Sequence, residues 1–373
     1  LFDDIEQLSG VARVLRIELQ QEENLPELVR ALQQVPAVDS ALMEHLSFAP
    51  LDATPATPVA ATPAAPALAY DAREAWAARE LIRLPQALGY TRGDPAVIVG
   101  LVDSGVDSHH PALPARALRR GFDTVDLDPA MLSVELVGDY RSRDEDPTDD
   151  VGHGTGCAGI LRAETPELPP GAAGLASLLP VRVLAAARQG QRRVGVGSIA
   201  NIDAGMKRLV DLGAKVINMS FGTAEDQLPA GGAPPHLEAV RYALARGVVL
   251  VAASGNSGLA QRYFPAAHDG VIAVGAVDVR GAVARFSTRG QHVALCAPGA
   301  GIWTCALGGG LQRANGTSFA APFVSAACAL LVARADARAW PVDSASLRAL
   351  LVGSCRPHLQ ADTEGCGAGV LDI

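Results

Sequence analysis

The sequence predicts an α/β protein: a mostly parallel β-sheet with helices on both faces, preceded by a small α+β segment. Three observations predict it. Short runs rich in β-branched residues, among them residues 96–102, 216–220 and 248–253, read as strands buried on both faces. Stretches with helical spacing of apolar residues lie between them, so strand and helix alternate as in βαβ units. The pattern is interrupted at residues 50–66, a Pro/Ala/Thr tract carrying Pro50, Pro55, Pro58, Pro63 and Pro66. No core forms from such a composition, and proline favours an extended spacer of ~3 Å per residue. The chain therefore divides into an α+β region at 1–49, a linker at 50–69 and a large domain at 70–373.

Composition agrees with that division. The 373 residues, 49% of them apolar, suffice for one large α/β core and a small satellite, and the 4% aromatic content leaves Ala and Gly to pack elements closely. There are 31 basic against 40 acidic residues, a net charge of −9, which argues against a nucleic-acid partner. No apolar run reaches the ~18 residues of a membrane span. The chain opens on Leu1 with no Met and no signal-peptide pattern, which reads as a processed or an engineered terminus.

In chain order, residues 11–19 largely alternate, with Val11, Leu15, Ile17 and Leu19 on one face, and read as a strand. Leu25, Leu28, Val29 and Leu32 follow helical spacing, and residues 37–46 read as a second strand. A strand–helix–strand of this size buries little surface alone. In the large domain a short helix is expected within 75–88, then the strand 96–102 ending at Asp103. Residues 139–150 are a charged loop running into His153; its carboxylates suit Ca²⁺, a basic substrate or plain solvation. A small apolar helix follows with Cys157, Ala158, Ile160 and Leu161. After a Pro/Gly turn region at 165–174 comes a strand at 178–184. Ser198 caps a helix carrying Ile199, Ile202, Met206, Leu209 and Val210, which Gly213 ends. Residues 216–220 form a strand, Leu237, Val240 and Leu244 mark a helix stopped by Gly247, and strands follow at 248–253, 271–277 and 293–297. Finally Pro322 suits the first turn of a helix carrying Phe323, Val324, Ala327, Cys328 and Leu331 through the middle of the domain. Ser318 then lies at a helix N-terminus, where partial positive charge favours a developing oxyanion.

Three stretches carry chemistry. Asp103, in Val102-Asp103-Ser104-Gly105-Val106, ends a buried strand, where open α/β sheets place their sites. His153 sits in Gly152-His153-Gly154-Thr155, and Ser318 in Gly316-Thr317-Ser318-Phe319-Ala320-Ala321-Pro322. Each alone suits a cap or a structural residue; Asp, then His, then Ser is one of the known chain orders of a hydrolytic triad. On these three motifs, together with residues 216–222 and 252–258, the chain from about residue 70 to 373 resembles the subtilisin-like serine proteases, the subtilase family.

The resemblance implies a serine endopeptidase acting on protein or peptide substrates through an acyl-enzyme on Ser318. His153 would be the base, Asp103 its orienting acid and Asn256 the oxyanion donor. It implies that Ser220, Phe221, Gly222, Ala253, Ser254 and Gly255 flank the substrate, with Tyr263 near the base of the P1 pocket. Region 1–49 resembles a prosegment, hence a zymogen and an intramolecular inhibitor; an unrelated accessory domain is the other reading. No cofactor is implied for the chemistry. Subtilases often hold structural calcium, but no clear ligand motif marks a metal site here. Gly156 stands where the family commonly has His, and Phe319 where it has Met, which keeps a catalytically inactive, peptide-binding module as the alternative. A nucleotide-binding protein would need a G-x-G-x-x-G after its first buried strand, and none is there. The six cysteines show no C-x-x-C; Cys355 with Cys366, and Cys296 with Cys305, stand as candidate bridges. Such bridges point to an oxidising compartment, secreted or periplasmic.

Overall fold

In a computed structural model of the chain, the described residues are 2–49 and 70–373, less 18, 20–23, 39, 42, 45, 130, 131, 133, 142, 191, 229–232 and 360–362. The linker expected at 50–69 lies outside them. From the N-terminus come α1 (Asp4–Ser9), α2 (Leu25–Gln33) and β1 (Leu46–Phe48). Then follow α3 (Ala72–Leu81), α4 (Leu84–Tyr90), β2 (Ile98–Asp103), β3 (Phe122–Asp123), β4 (Glu135–Val137), α5 (His153–Arg162), β5 (Ser177–Arg182), β6 (Ala185–Gln189), β7 (Arg192–Ser198) and α6 (Ile199–Asp211). The rest of the chain forms β8 (Val216–Met219), β9 (Thr223–Ala224), α7 (Leu237–Ala245), β10 (Val249–Ala253), β11 (Tyr263–Phe264), β12 (Ile272–Val277), β13 (Val293–Pro298), β14 (Ala300–Cys305), β15 (Leu311–Asn315), α8 (Thr317–Asp336) and α9 (Ser344–Ser354).

Seven strands form one parallel sheet in the order β13-β12-β10-β8-β2-β5-β3. The period of two assigns their side chains to two cores. Val99, Leu101, Val249, Val251 and Ala253 pack with α5 and α8 on one face. Val102, Leu250 and Ala252 pack with α6 and α7 on the other. Where α6 crosses β2, a Cβ on Gly100 would lie 2.7 Å from the Leu209 side chain, which would have to move aside to admit it. The sheet grows from β2 toward β5 and β3 on one side, and toward β8, β10, β12 and β13 on the other. The C-terminal end of β2 is therefore a switch point, the place where open α/β sheets form their crevice.

Helix α8 crosses the middle of the molecule against that sheet, and all but three of its 20 residues are buried. It is long and apolar enough to cross a membrane by length and composition, but 89% of that stretch is buried among the other described elements, as befits a core helix. The helix starts at Thr317, earlier than expected, so Pro322 falls in its second turn rather than its first.

The N-terminal region departs from its expected strand–helix–strand. The helix is present as α2. In place of a strand at 11–19 there is a 3₁₀ turn at Val11–Arg13, with Val14, Leu15 and Ile17 exposed. Alternation alone does not make a strand where no partner strand or core receives the apolar face. The second strand is reduced to β1, and positions 39, 42 and 45 of the stretch expected for it lie outside the described residues. A helix not foreseen, α1, is closed by a capping box between Asp3 and Glu6 and docks on α7 through Ile5. Glu6 pairs with Lys207 at 2.6 Å.

All six cysteines are free thiols, which corrects both candidate bridges. Cys355 donates into its own helix, to the Leu351 carbonyl, at 3.1 Å, while Cys296 donates to the Cys366 carbonyl at 3.2 Å. Cys305 packs over Gly159.

The charged loop is not simply solvated. Arg182, at the end of β5 and 2% exposed, donates to Asp123 at 2.5 Å, to Asp150 at 3.3 Å and to the Asp139 carbonyl. Replacing Arg182 by Met leaves the buried Asp123 charge without its partner, and breaking a buried pair from one side costs about 3–5 kcal/mol. Urea denaturation of Arg182→Met is expected to show a loss of that size; a loss below about 1 kcal/mol would mean that the pair is not structurally needed.

Candidate active site

Asp103 is the last residue of β2 and fully buried. Its Oδ1 lies 2.7 Å from His153 Nδ1 and accepts the Ser104 N–H at 2.7 Å. An ionised carboxylate only accepts, so Nδ1 carries the proton and Nε2 is the basic nitrogen. His153 opens α5, where Gly154 permits close approach to β2: a Cβ there would stand 2.1 Å from the Gly105 carbonyl. The position of α5 is set by Asp149, which nothing local in the sequence distinguishes from the other acids of the charged loop. Asp149 accepts from Val151 N–H, Gly152 N–H and Ser104 Oγ at 2.9 Å each, and from Thr155 N–H and Oγ1 at 2.9 and 2.6 Å. Through the Gly152 and Thr155 N–H groups its carboxyl caps the helix that begins with His153. Burial raises its carboxyl pKa, and the Thr155 and backbone donors offset part of that rise.

Ser318 lies in the first turn of α8, and Pro322 explains how it is held. In an α-helix the Ser318 carbonyl would accept from residue 322, and proline has no N–H. The carbonyl is satisfied instead from outside the helix, by Ser220 Oγ at 2.8 Å and Cys157 Sγ at 3.4 Å. Ser220 Oγ accepts from Asn218 Nδ2 at 2.9 Å, and Asn218 Oδ1 accepts from Ser325 Oγ at 2.9 Å, further along α8. The Ser318 hydroxyl completes the circuit by donating to the Ser220 carbonyl at 3.2 Å. All four of these polar side chains are fully buried.

Cys157, one turn after His153, has its sulfur within 4.8 Å of an Asp103 oxygen and a His153 nitrogen, so the two halves of the site adjoin. Three atoms of ligand type thus meet here, but burial, and then the Asp103 charge, push the thiol pKa well above its usual value, leaving a protonated donor rather than a thiolate. Of the loop carboxylates that suited Ca²⁺, Asp149 is engaged by its five donors and Asp150 by Arg182.

Asn256 is oriented by Thr317. Its Oδ1 accepts from the Thr317 N–H and hydroxyl, both at 2.9 Å, which settles the amide's orientation and turns the NH₂ toward Gly316. Thr317 Oγ1 also accepts the Gly255 N–H at 3.2 Å, so the Gly255–Asn256 turn is fastened to the start of α8. Gly156 and Phe319 prove to be one exchange: a Cβ on Gly156 would stand 2.9 Å from the Phe319 ring, whose centroid is 5.4 Å from that of His153.

Beside these groups runs a cleft between β7 and the backbone at Gly222, and β1 lies in it. Leu46, Ser47 and Phe48 pair antiparallel with Ser198, Gly197 and Val196. Phe48 and Gly222 exchange both backbone hydrogen bonds, at 3.4 and 2.9 Å, and Ala49 N–H reaches the Gly195 carbonyl at 3.2 Å. Of the expected flanking residues, Gly222 meets the strand through its backbone. Phe221 turns its side chain into the core beside His236, so only its backbone remains for the cleft. Ala253 ends β10 facing α8, and Ser254 Oγ donates to the Thr288 carbonyl at 3.2 Å. The Tyr263 ring lies against Gly255, 2.6 Å from where a Cβ would stand, and 3.5 Å from the same point on Gly222.

Among protein families, the profile described as Subtilase family matches residues 94–369. The chain is 35% identical to the thermophilic serine proteinase of Bacillus sp. (strain AK1) over 65% of its own length and 54% of that protein. It is 34% identical to thermitase of Thermoactinomyces vulgaris over 68% of its length and 80% of that protein. The match thus spans about half of the first relative and most of the second. Among solved structures, the prenylagaramide maturation protease PagA superposes with a TM-score of 0.61 at 29% identity, covering 78% of this chain and 96% of that one. A serine-to-alanine mutant of the protease domain of PatA gives 0.60 at 31%, covering 75% and 93%.

Ser220→Ala would strip the Ser318 carbonyl of its nearer donor and leave the Asn218 amide unpaired in the core. A stability loss of about 1–3 kcal/mol in urea titration is expected. An unchanged midpoint would show that Cys157 and local relaxation replace the hydroxyl.

Proposed function

The chain belongs to the subtilase family, and from that premise we propose that it is a serine endopeptidase cleaving peptide bonds through an acyl-enzyme on Ser318. The observation that carries the reading is the 2.7 Å bond between buried Asp103 and His153, adjoining the α8 turn that holds Ser318. The Ser318 hydroxyl turns from the Ser220 carbonyl to His153 Nε2, gives it the proton, and forms the C–O bond to the scissile carbonyl. The carbonyl electron pair moves onto oxygen, where the Asn256 NH₂ and the Ser318 N–H at the head of α8 stabilise it. The C–N bond breaks as His153 returns its proton to the leaving amine, and water repeats the cycle on the ester. Asp103 holds the tautomer and stabilises the imidazolium. The chemistry uses no cofactor.

We assign residues 1–49 as a prosegment-like region, 50–69 as a linker and 70–373 as the catalytic domain. The pairing of β1 with β7 and Gly222 supports an N-terminal region that occupies the cleft as a product strand would and restrains the enzyme. A secreted or periplasmic location rests on the family resemblance, since the free cysteines supply no argument for an oxidising compartment.

Ser318→Ala, His153→Ala and Asp103→Asn are each expected to reduce kcat by about 10⁴-fold or more without unfolding, and non-additively, because the three act as a unit. Asn256→Ala should lower kcat by about 10²–10³-fold, the loss known for this family's oxyanion donor, with little change in KM. Near-wild-type turnover by Ser318→Ala, or no labelling of Ser318 by a fluorophosphonate, would refute the mechanism.

The P1 pocket is proposed to be shallow, because the Tyr263 ring fills the space between Gly222 and Gly255. Small and medium apolar P1 residues should dominate a peptide-library profile, and Tyr263→Gly should raise kcat/KM for P1 Phe or Leu by about tenfold or more, in line with the energy of filling an apolar pocket. A wild-type profile led by Phe, Tyr, Arg or Lys would overturn this.

A further inference from the structure

Ser47 is the residue β1 buries completely. Its hydroxyl lies 3.1 Å from His236 Nε2 and 2.9 Å from Thr223 Oγ1. The other ring nitrogen of His236, Nδ1, lies 2.6 Å from Asp203 Oδ1. The carboxylate only accepts, so Nδ1 carries a proton, and in the neutral ring Nε2 is then a buried acceptor. Ser47 therefore donates to Nε2, while the Thr223 hydroxyl lies against both the Ser47 oxygen and, at 3.4 Å, the Leu46 carbonyl. The Asp203–His236–Ser47 row copies the order of a hydrolytic triad, but the Ser47 hydroxyl is enclosed and shared with Thr223, with no face left for a scissile carbonyl.

His236 is held at this post firmly. Its φ is 69°, in the left-handed region that side chains rarely adopt, and its ring packs edge-on to Phe221 at 5.7 Å between centroids. Backbone strain persists where the surroundings over-determine it, and here both ring nitrogens are tied. The dyad joins α6, which follows directly from β7, to the start of α7, so it forms the floor beneath one wall of the cleft.

The strand register says which substrate residue this floor meets. Phe48 opposes Gly222, and Ser220, two residues before Gly222, accepts the Ser318 hydroxyl at its carbonyl. A substrate in the register of β1 places beside Ser318 the residue two positions after the one opposite Gly222. The position of Ser47 is then the fourth residue before the cleaved bond.

We infer that His236, aligned by Asp203, acts with Thr223 to make this pocket select a hydroxyl donor at that fourth position, serine above all, and that Ser47 is the chain's own occupant of it. The inference rests on the reading of Ser318 as the nucleophile. Its physical basis is an asymmetry: a serine satisfies a buried acceptor, whereas an apolar side chain leaves Nε2 unpaired and dry, and a site built for a hydroxyl rejects the analogue lacking it.

The test uses the full chain and a set of peptides that differ only at the fourth residue before the cleaved bond (Ser, Ala, Val, Leu or Asp), with the cut located by mass spectrometry. Ser is expected to exceed Ala, Val and Leu in kcat/KM by about tenfold or more. His236→Leu should erase that preference and favour Leu. Independently, Ser47→Val should raise the full chain's initial rate several-fold by loosening its own strand. Cleavage by the wild-type chain with Ser no better than Leu would overturn the inference and leave the Ser318 reading intact. Cleavage of none of the peptides, with Ser318 also inert to a fluorophosphonate, would overturn both.

Discussion

A missing hydrogen bond organises the centre of this molecule. Pro322 deprives the Ser318 carbonyl of its partner inside α8, and a buried carbonyl without a donor is expensive. The repair comes from Ser220, itself held by Asn218 and Ser325, and from Cys157 one turn beyond His153. One defect therefore ties α8 to the end of β8 and to α5, which carry the other walls of the site. A regular helix would have closed on itself and left those elements free to drift relative to Ser318. Rigid support of this kind keeps catalytic groups near their productive geometry.

The same elements expose backbone edges. Without β1, β7 would be the edge of a three-stranded sheet, β7-β6-β4, and the backbone at Gly222 would lack its bridge to Phe48. Unpaired edges attract extended chains. The N-terminal region fills that vacancy in the described structure and adds side-chain contacts at α6 and α7, including Lys207 with Glu6 and Arg246 with Asp3. Because the region is covalently attached, its effective concentration is in the millimolar range, so modest contacts suffice to hold it. Surface ion pairs of this kind contribute little each; backbone pairing and the Ser47 hydroxyl carry more.

Gly156 and Phe319 show how a departure from a family's usual residues can be neutral in geometry. The Phe319 ring takes the volume that a side chain at 156 would need, so neither position is interpretable alone. The charged loop makes a parallel point. Its acids look equivalent in sequence, yet Asp149 is a buried helix cap, Asp150 answers Arg182, and Asp146 accepts from its own loop at Thr148.

The sequence by itself determined the parallel sheet and the order of Asp103, His153 and Ser318, because runs of β-branched residues and helical spacing report local burial directly. It also marked where α6 begins, since the Ser198 cap is a local bond to Asn201. Only the tertiary structure decided what depends on distant partners. Residues 11–19 alternate like a strand but lack a receiving edge, whereas Leu46–Phe48, with no stronger pattern, becomes a strand because β7 and Gly222 offer one. The cysteine spacings suggested bridges, but all six thiols are free. Ser47 and His236 stand 189 positions apart, so no local pattern announces their contact. Periodicity encodes which side of an element is buried; it does not encode against what, and the site is made of those second-order choices.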